Sequence, residues 1–149
     1  MLKIVRTNSD NPDFIQLVKK LDAYLKITDG DEHEFYNQFN SIKNLKYVVV
    51  AYLNEKPAGC GAFKKFKDSC VEIKRMFTTS EFRNKNIATN ILKELEAWAA
   101  ELGYSSCILE TGIRQVEAVP FYKKNGYASI ARYGQYSNRD NSLCFEKQL

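Results

Sequence analysis

The chain has 149 residues, 44% of them apolar, with nine phenylalanines, nine tyrosines and one tryptophan, enough for one sizeable core in a single domain. Its net charge of +4 comes from 22 basic and 18 acidic residues interspersed along the chain, so there is no basic face or tail to mark a nucleic-acid partner. No stretch approaches the ~20 apolar residues of a membrane span and the first residues lack the apolar run of a leader, which predicts a soluble cytoplasmic protein without a membrane partner.

LKIVRT (2–7) reads as a first strand. NPDFIQLVKKLDAYLK (11–26) carries Phe14, Leu17, Val18, Leu21 and Leu25 at helical spacing, with Asn11 or Asp10 as its cap. After the acidic turn DGDEH, HEFYNQFNSI (33–42) is expected to form a second short helix. The period then changes. KYVVVAYL (46–53), the turn NEKP (54–57) and AGCGAFKKF (58–66) read as a hairpin, and CVEIKRMFT (70–78) completes an antiparallel meander.

NIATNILKELEAWAAELG (86–103) sets Ile87, Ile91, Leu92, Leu95, Trp98, Ala99 and Leu102 on one stripe opposite Lys93, Glu94, Glu96 and Glu101, with Gly103 placed to end it. SSCILET (105–111) follows as a strand, so residues 70–111 form a strand, helix, strand step whose strands are most easily parallel. A helix near 117–125 and strands near 127–133 and 142–148 complete an α/β mixed sheet.

The seven glycines and three prolines are dispersed, and no repeat or linker divides the chain. Cys60, Cys70, Cys107 and Cys144 lack CxxC spacing and are expected as reduced core thiols. The single histidine, His33, stands in DGDEH without the partners of a zinc site or a serine triad, so no metal is expected.

SEFRNKNIATN (80–90) places Arg83 and Lys85 just ahead of a helix N-terminus, where free amides and the helix dipole favour an anion. Here the chain resembles the GNAT superfamily of acetyl-CoA-dependent N-acetyltransferases, from about Val48 onward. Residues 71–104 resemble that family's strand, pyrophosphate loop and helix. Arg83 fills the first position of the loop motif and Ala88 the last, while Asn86 replaces the middle glycine and Asn84 stands where another glycine is frequent. Asparagine tolerates left-handed backbone angles better than most residues, so the loop can keep its shape. LETGIRQVEAVPFYKKNGY (109–127) resembles the family's last strand and helix, with Gln115, Ala118, Tyr122, Gly126 and Tyr127 in the motif positions. GCGA (59–62), DGDEH (29–33), YGQY (133–136) and the ending SLCFEKQL (142–149) are similar to one bacterial-type branch.

The resemblance implies the GNAT fold: a mixed, largely antiparallel sheet with a central parallel βαβ step and helices on both faces. It implies acetyl-CoA as co-substrate, its pantetheine arm in a gap between the strands at 71–78 and 105–111. The backbone of Met76 and Thr78 would hold that arm, and Met76, Phe77 and Ile87 would pack on it. The diphosphate would rest on the amides of Asn84, Lys85, Asn86, Ile87, Ala88 and Thr89, beside Arg83, and Gln115 would also bind the coenzyme.

The acceptor implied is a small-molecule or peptide primary amine in a ternary complex. An alkyl ammonium has a pKa near ~10.4, so holding it neutral at pH 7 costs roughly 4–5 kcal/mol and calls for a proton acceptor. Glu72 is the candidate base, directly or through water, because strand alternation predicts Glu72, Lys74 and Met76 on one face. Tyr122 is the implied proton donor to the leaving thiolate, and the amide of Phe77 or Met76 the oxyanion donor. Residues near 24–36 and 133–139 would form the substrate wall, where Asp29, Asp31, Glu32 and Glu34 would favour a cationic acceptor.

A non-catalytic CoA-binding regulatory module is the alternative, suggested by the two loop asparagines. A doubly wound nucleotide-binding domain is disfavoured by the antiparallel first half and the lack of a Gly-rich turn after the first strand. A terminal strand can pair in its own sheet or with another chain, so monomer and homodimer both remain open.

Overall fold

The structure is a computed structural model and describes residues 1–30 and 42–149. The helix expected at 33–42, like Asp31, Glu32, His33 and Glu34, falls almost wholly outside the described residues. Strand β1 (Leu2–Thr7) leads to helix α1 (Pro12–Asp29). Asn11 caps that helix: its side-chain oxygen accepts from the amides of Asp13 and Phe14 at 2.9 and 3.0 Å, while Pro12 occupies a first-turn position that needs no N–H donor. Phe14, Leu17 and Val18 then bury against Val48, Val50, Cys60 and Ala62 of the sheet.

Strands β2 (Tyr47–Leu53) and β3 (Lys56–Lys67) join through two residues, Asn54 (φ 51) and Glu55 (φ 70), rather than the four expected. Two left-handed residues in succession give the connection whose twist matches its flanking strands, so Leu53 pairs directly with Lys56 and β3 starts two residues early. Strand β4 (Cys70–Thr78) is antiparallel to β3. Helix α2 (Ile87–Glu101) crosses to β5 (Ser106–Gly112), which runs parallel to β4. Gly103, at φ 95, supplies the left-handed residue that terminates α2.

Helix α3 (Ala118–Lys124) contains Pro120, but in its first turn, where the missing N–H has no intrahelical acceptor to lose. Strand β6 (Ala128–Ile130) is shorter than the 127–133 expected, and β7 (Ser142–Gln148) inserts between β5 and β6. The sheet order is β1-β2-β3-β4-β5-β7-β6 with one parallel pair, α1 on one face and α2 on the other, as the resemblance implies.

The larger core lies under α2, where Ile87, Ile91, Leu92, Leu95 and Ala99 meet Val49, Phe63, Val71 and Ile73. Gly59 and Gly61 allow this close approach. A Cβ on Gly59 would sit 2.7 Å from the Phe77 carbonyl oxygen and 2.9 Å from Ile91, and one on Gly61 would sit 2.5 Å from the Met76 sulfur. All four cysteines are free and buried. Among the described residues, no helix is long and apolar enough to cross a membrane.

Candidate active site

β4 and β5 pair only from Cys70–Glu72 against Ser106–Ile108 and then part, although β3 follows β4 to Thr78 and β7 follows β5 to Gly112. From Ile73 onward β4 has no ladder partner on its β5 side. A bulge accompanies the parting. Cys60 faces Phe77 and Ala62 faces Lys74, so two residues of β4, Arg75 and Met76, oppose the single Gly61, and Arg75 takes a left-handed φ of 58.

The bulge corrects the expectation that Glu72, Lys74 and Met76 share a face. The extra residue shifts the alternation by one, which turns Met76 toward α2, against Gly61, and sends Phe77 to the α1 side. Arg75 reaches α1 instead, where its guanidinium makes a very short hydrogen bond to Asp22, leaving its Nε buried without a partner among the described residues.

The parting opens a cleft of about 680 Å³, mouth included, between Leu21 and Leu25 of α1, the edges of β4 and β5, Gln115, Tyr122 and Tyr136. Glu72 stands where the strands diverge, 3% exposed. Its Oε2 accepts from the Tyr133 hydroxyl at 2.7 Å and its Oε1 lies 3.9 Å from the Lys74 ammonium. Burial lowers the Lys74 pKa, and the Glu72 charge opposes that effect. Burial, then the neighbouring Glu72 carboxylate, pushes the Tyr133 phenol well up, so it remains a donor. Its ring is fixed edge-on to Phe66 and Tyr136, at 5.1 and 5.6 Å between centroids.

Across the cleft, Tyr122 is buried against Phe121, Tyr127 and Phe145. Burial and the Glu110 charge raise its pKa, so the phenol stays protonated. Among the described residues the Thr111 hydroxyl, also lining the cleft, is buried without a partner, as are those of Thr78 and Thr79 at the end of β4.

Past Thr79 the chain makes one tight turn (Ser80–Phe82) and then a loop in which Asn84 and Asn86 hold φ values of 64 and 61. Both asparagines therefore occupy the left-handed region that their residue type tolerates. Asn86 stands at the N-cap of α2 with no side-chain cap, which leaves the first-turn amides without that acceptor. Ile87 is buried and Ala88 and Thr89 half-buried, while Arg83 to Asn86, including Lys85, are exposed. Arg83 does not project freely: its guanidinium lies 5.6 Å from the Tyr24 ring centroid and its Nε donates to the Thr78 carbonyl at 3.3 Å.

The family model for the Acetyltransferase (GNAT) family matches residues 14–127. The chain is a GNAT acetyltransferase. It is 30% identical over 137 residues to the IAA acetyltransferase of Azospirillum brasilense, covering 91% of this chain and 90% of that protein. It is 36% identical over 94 residues to the uncharacterized N-acetyltransferase YjcF of Bacillus subtilis, covering 63% and 64%. A Klebsiella pneumoniae protein assigned to the acyl-CoA N-acyltransferases superposes with a TM-score of 0.84 at 25% identity, covering 100% and 98%. A GNAT acetyltransferase of Elizabethkingia anophelis, solved with acetyl-CoA bound, shares the fold with a TM-score of 0.73 at 17% identity, covering 99% and 98%.

This GNAT acetyltransferase thus transfers an acyl group from an acyl-CoA to an acceptor. The fold gathers Glu72, Met76, Tyr122 and Gln115 around one cleft and places Thr78 and residues 83–89 along the path from β4 to α2. Sequence reasoning missed Tyr133 as the partner of Glu72, and Arg75 as the left-handed residue of the bulge. Lys74 entered only as a neighbour of Glu72. Three charged residues in the middle of a strand that proves central to the sheet were the available signal, since charges are rarely buried without a task or a partner.

Proposed function

We propose that this enzyme transfers an acetyl group from acetyl-CoA to the primary amine of a small molecule or peptide, in a ternary complex formed in the β4–β5 cleft of one domain spanning residues 1–149. The parting of β4 from β5 at Glu72 carries the reading, because it bares strand backbone beside a buried carboxylate. Related structures solved with acetyl-CoA or coenzyme A support the choice of donor.

The residues fit that co-substrate. The buried hydroxyls of Thr78, Thr79 and Thr111, unpartnered among the described residues, can bond an amide-bearing arm, beside the β4 backbone of Met76 and Thr78 that β5 does not pair. Met76, Phe77 and Ile87 would add apolar contact. The uncapped amides from Asn84 and Lys85 through Asn86, Ile87, Ala88 and Thr89 would take the diphosphate, with Arg83 beside them. Gln115 would line the pocket near the reacting end. Acetyl-CoA supplies the activated acetyl thioester.

Glu72 is the proton acceptor in this reading. Its carboxylate, fixed by Tyr133, borders the cleft where the incoming amine must shed a proton. Tyr122 serves as donor. A phenol with a raised pKa gives up its proton uphill to a thiolate, so its contribution is a hydrogen bond that strengthens as negative charge grows on sulfur. The Met76 or Phe77 amide would hold the developing oxyanion. The regulatory alternative drew on Asn84 and Asn86, and their left-handed angles remove its motive.

The test is steady-state kinetics with thiol detection, paired with calorimetric acetyl-CoA binding. Glu72→Gln should lower kcat/KM by about 10²–10⁴-fold and Tyr122→Phe by about tenfold or more, with acetyl-CoA affinity retained. Wild-type rates in both variants would reject these assignments.

A further inference from the structure

Lys74 poses a problem that the transfer chemistry does not solve. The residue is 9% exposed, on the central strand, with its ammonium beside the cleft. Among the described residues its salt-bridge partner is Glu72, yet the Lys74 Nζ stands 3.9 Å from the Glu72 Oε1, beyond a hydrogen bond, while Tyr133 holds the carboxylate by its other oxygen, Oε2. A desolvated ammonium held this loosely is costly unless something else completes its coordination.

The next residue deepens the problem. Arg75, also lining the cleft, spends its Nη2 on Asp22 while its Nε lies buried with no partner among the described residues. Among those residues, two adjacent cationic side chains therefore keep unused N–H donors at one wall. The same cleft presents Glu72 and Glu110 on the alternate positions of β4 and β5 that face Tyr133, Tyr136 and Cys144. Positive and negative groups thus stand side by side on the cleft wall, where Glu72, Lys74 and Arg75 are each buried and matching opposite charges act more strongly than at the surface.

We infer that the acceptor is a zwitterion of the amino-acid type, its amine directed to Glu72 and its carboxylate held by Lys74 with help from Arg75 Nε. This rests on the acetyl-transfer reading and narrows its substrate class. A neutral or purely cationic amine would leave the Lys74 ammonium and the Arg75 Nε uncompensated. A carboxylate satisfies both, and by its fixed spacing from the amine it sets which atom meets the thioester.

The experiment compares acceptors that differ by the carboxylate alone: L-phenylalanine against phenethylamine, L-arginine against agmatine, and L-methionine against its decarboxylated amine. The readout is kcat/KM by thiol release for the wild type, Lys74→Met and Lys74→Gln, because intrinsic reactivity differences within a pair cancel between enzymes. The wild type should favour the carboxylated member of at least one pair by about tenfold or more, the factor expected of a charge-assisted hydrogen bond. Both variants should bring that ratio near one through a higher acceptor KM, with acetyl-CoA affinity by calorimetry unchanged. Equal or better use of the decarboxylated amines, or a preference that survives both substitutions, overturns the inference. If no member is acetylated, the same pairs are titrated into protein saturated with coenzyme A, and binding of the amino acids that does not depend on Lys74 overturns it equally. Failure to bind acetyl-CoA would be read in its own arm and would count against the transfer reading itself.

Discussion

Tyr133 holds the Glu72 carboxylate with one hydrogen bond of 2.7 Å in a site where each is largely cut off from water. Without that hydroxyl the carboxylate loses the contact that fixes it at the cleft. Tyr133→Phe should therefore lower kcat/KM several-fold with acetyl-CoA affinity by calorimetry retained, and wild-type turnover in that variant would show that the hydrogen bond does not position Glu72. Much at this scale was legible in the chain itself. Asn84 and Asn86 hold the left-handed angles expected of asparagines standing in for glycine. The facing of Met76 was not legible, because period-two reasoning assumes an unbroken ladder and Arg75 inserts one extra residue. Nothing in the residue type announces that insertion, since arginine is no favoured occupant of φ 58.

Among the elements, β3 lies close against both β4 and α2 at Gly59. A methyl on Gly59 would fall 2.7 Å from the Phe77 carbonyl oxygen and 2.9 Å from Ile91, so either β4 or α2 must give way. Gly59→Ala should destabilise the fold by about 1–3 kcal/mol, read from the urea midpoint, and should also weaken acetyl-CoA binding because α2 carries the loop's amides. The long periodic elements α1 and α2 were legible within three residues at either end, since an apolar stripe of that length has one solution. The short ones were less so. β6 keeps three residues because β7 offers it a brief edge, and that pairing is long-range information absent from the local pattern. The β2–β3 turn tightened to Asn54 and Glu55 because the register of the flanking strands, which local composition does not encode, decides where a hairpin closes.

Across the molecule, buried acids with raised pKa values set a limit at high pH. Burial lifts the Cys60 and Cys107 thiols from an ordinary value of 9.0 to about 12, and the phenols of Tyr122, Tyr127, Tyr133 and Tyr136 are raised as well. The folded state then holds protons that the unfolded chain releases, so this stability is full below the ordinary thiol value and is lost as pH rises toward the folded values. The urea midpoint should fall across that window, and a Cys60→Ala, Cys107→Ala double variant should show a shallower fall from a lower start. A flat profile in the parent protein would contradict the burial of these groups.

The contact of Arg83 with the Tyr24 ring joins the loop before α2, proposed above to take the diphosphate, to α1, one wall of the β4–β5 cleft. On that proposal, a diphosphate that drew the guanidinium away would unclamp the aromatic ring, and with it the end of the helix that the second substrate would pass. Turnover should accordingly follow a compulsory sequence, thioester before acceptor, and Tyr24→Ala should relax it to random arrival in product-inhibition patterns.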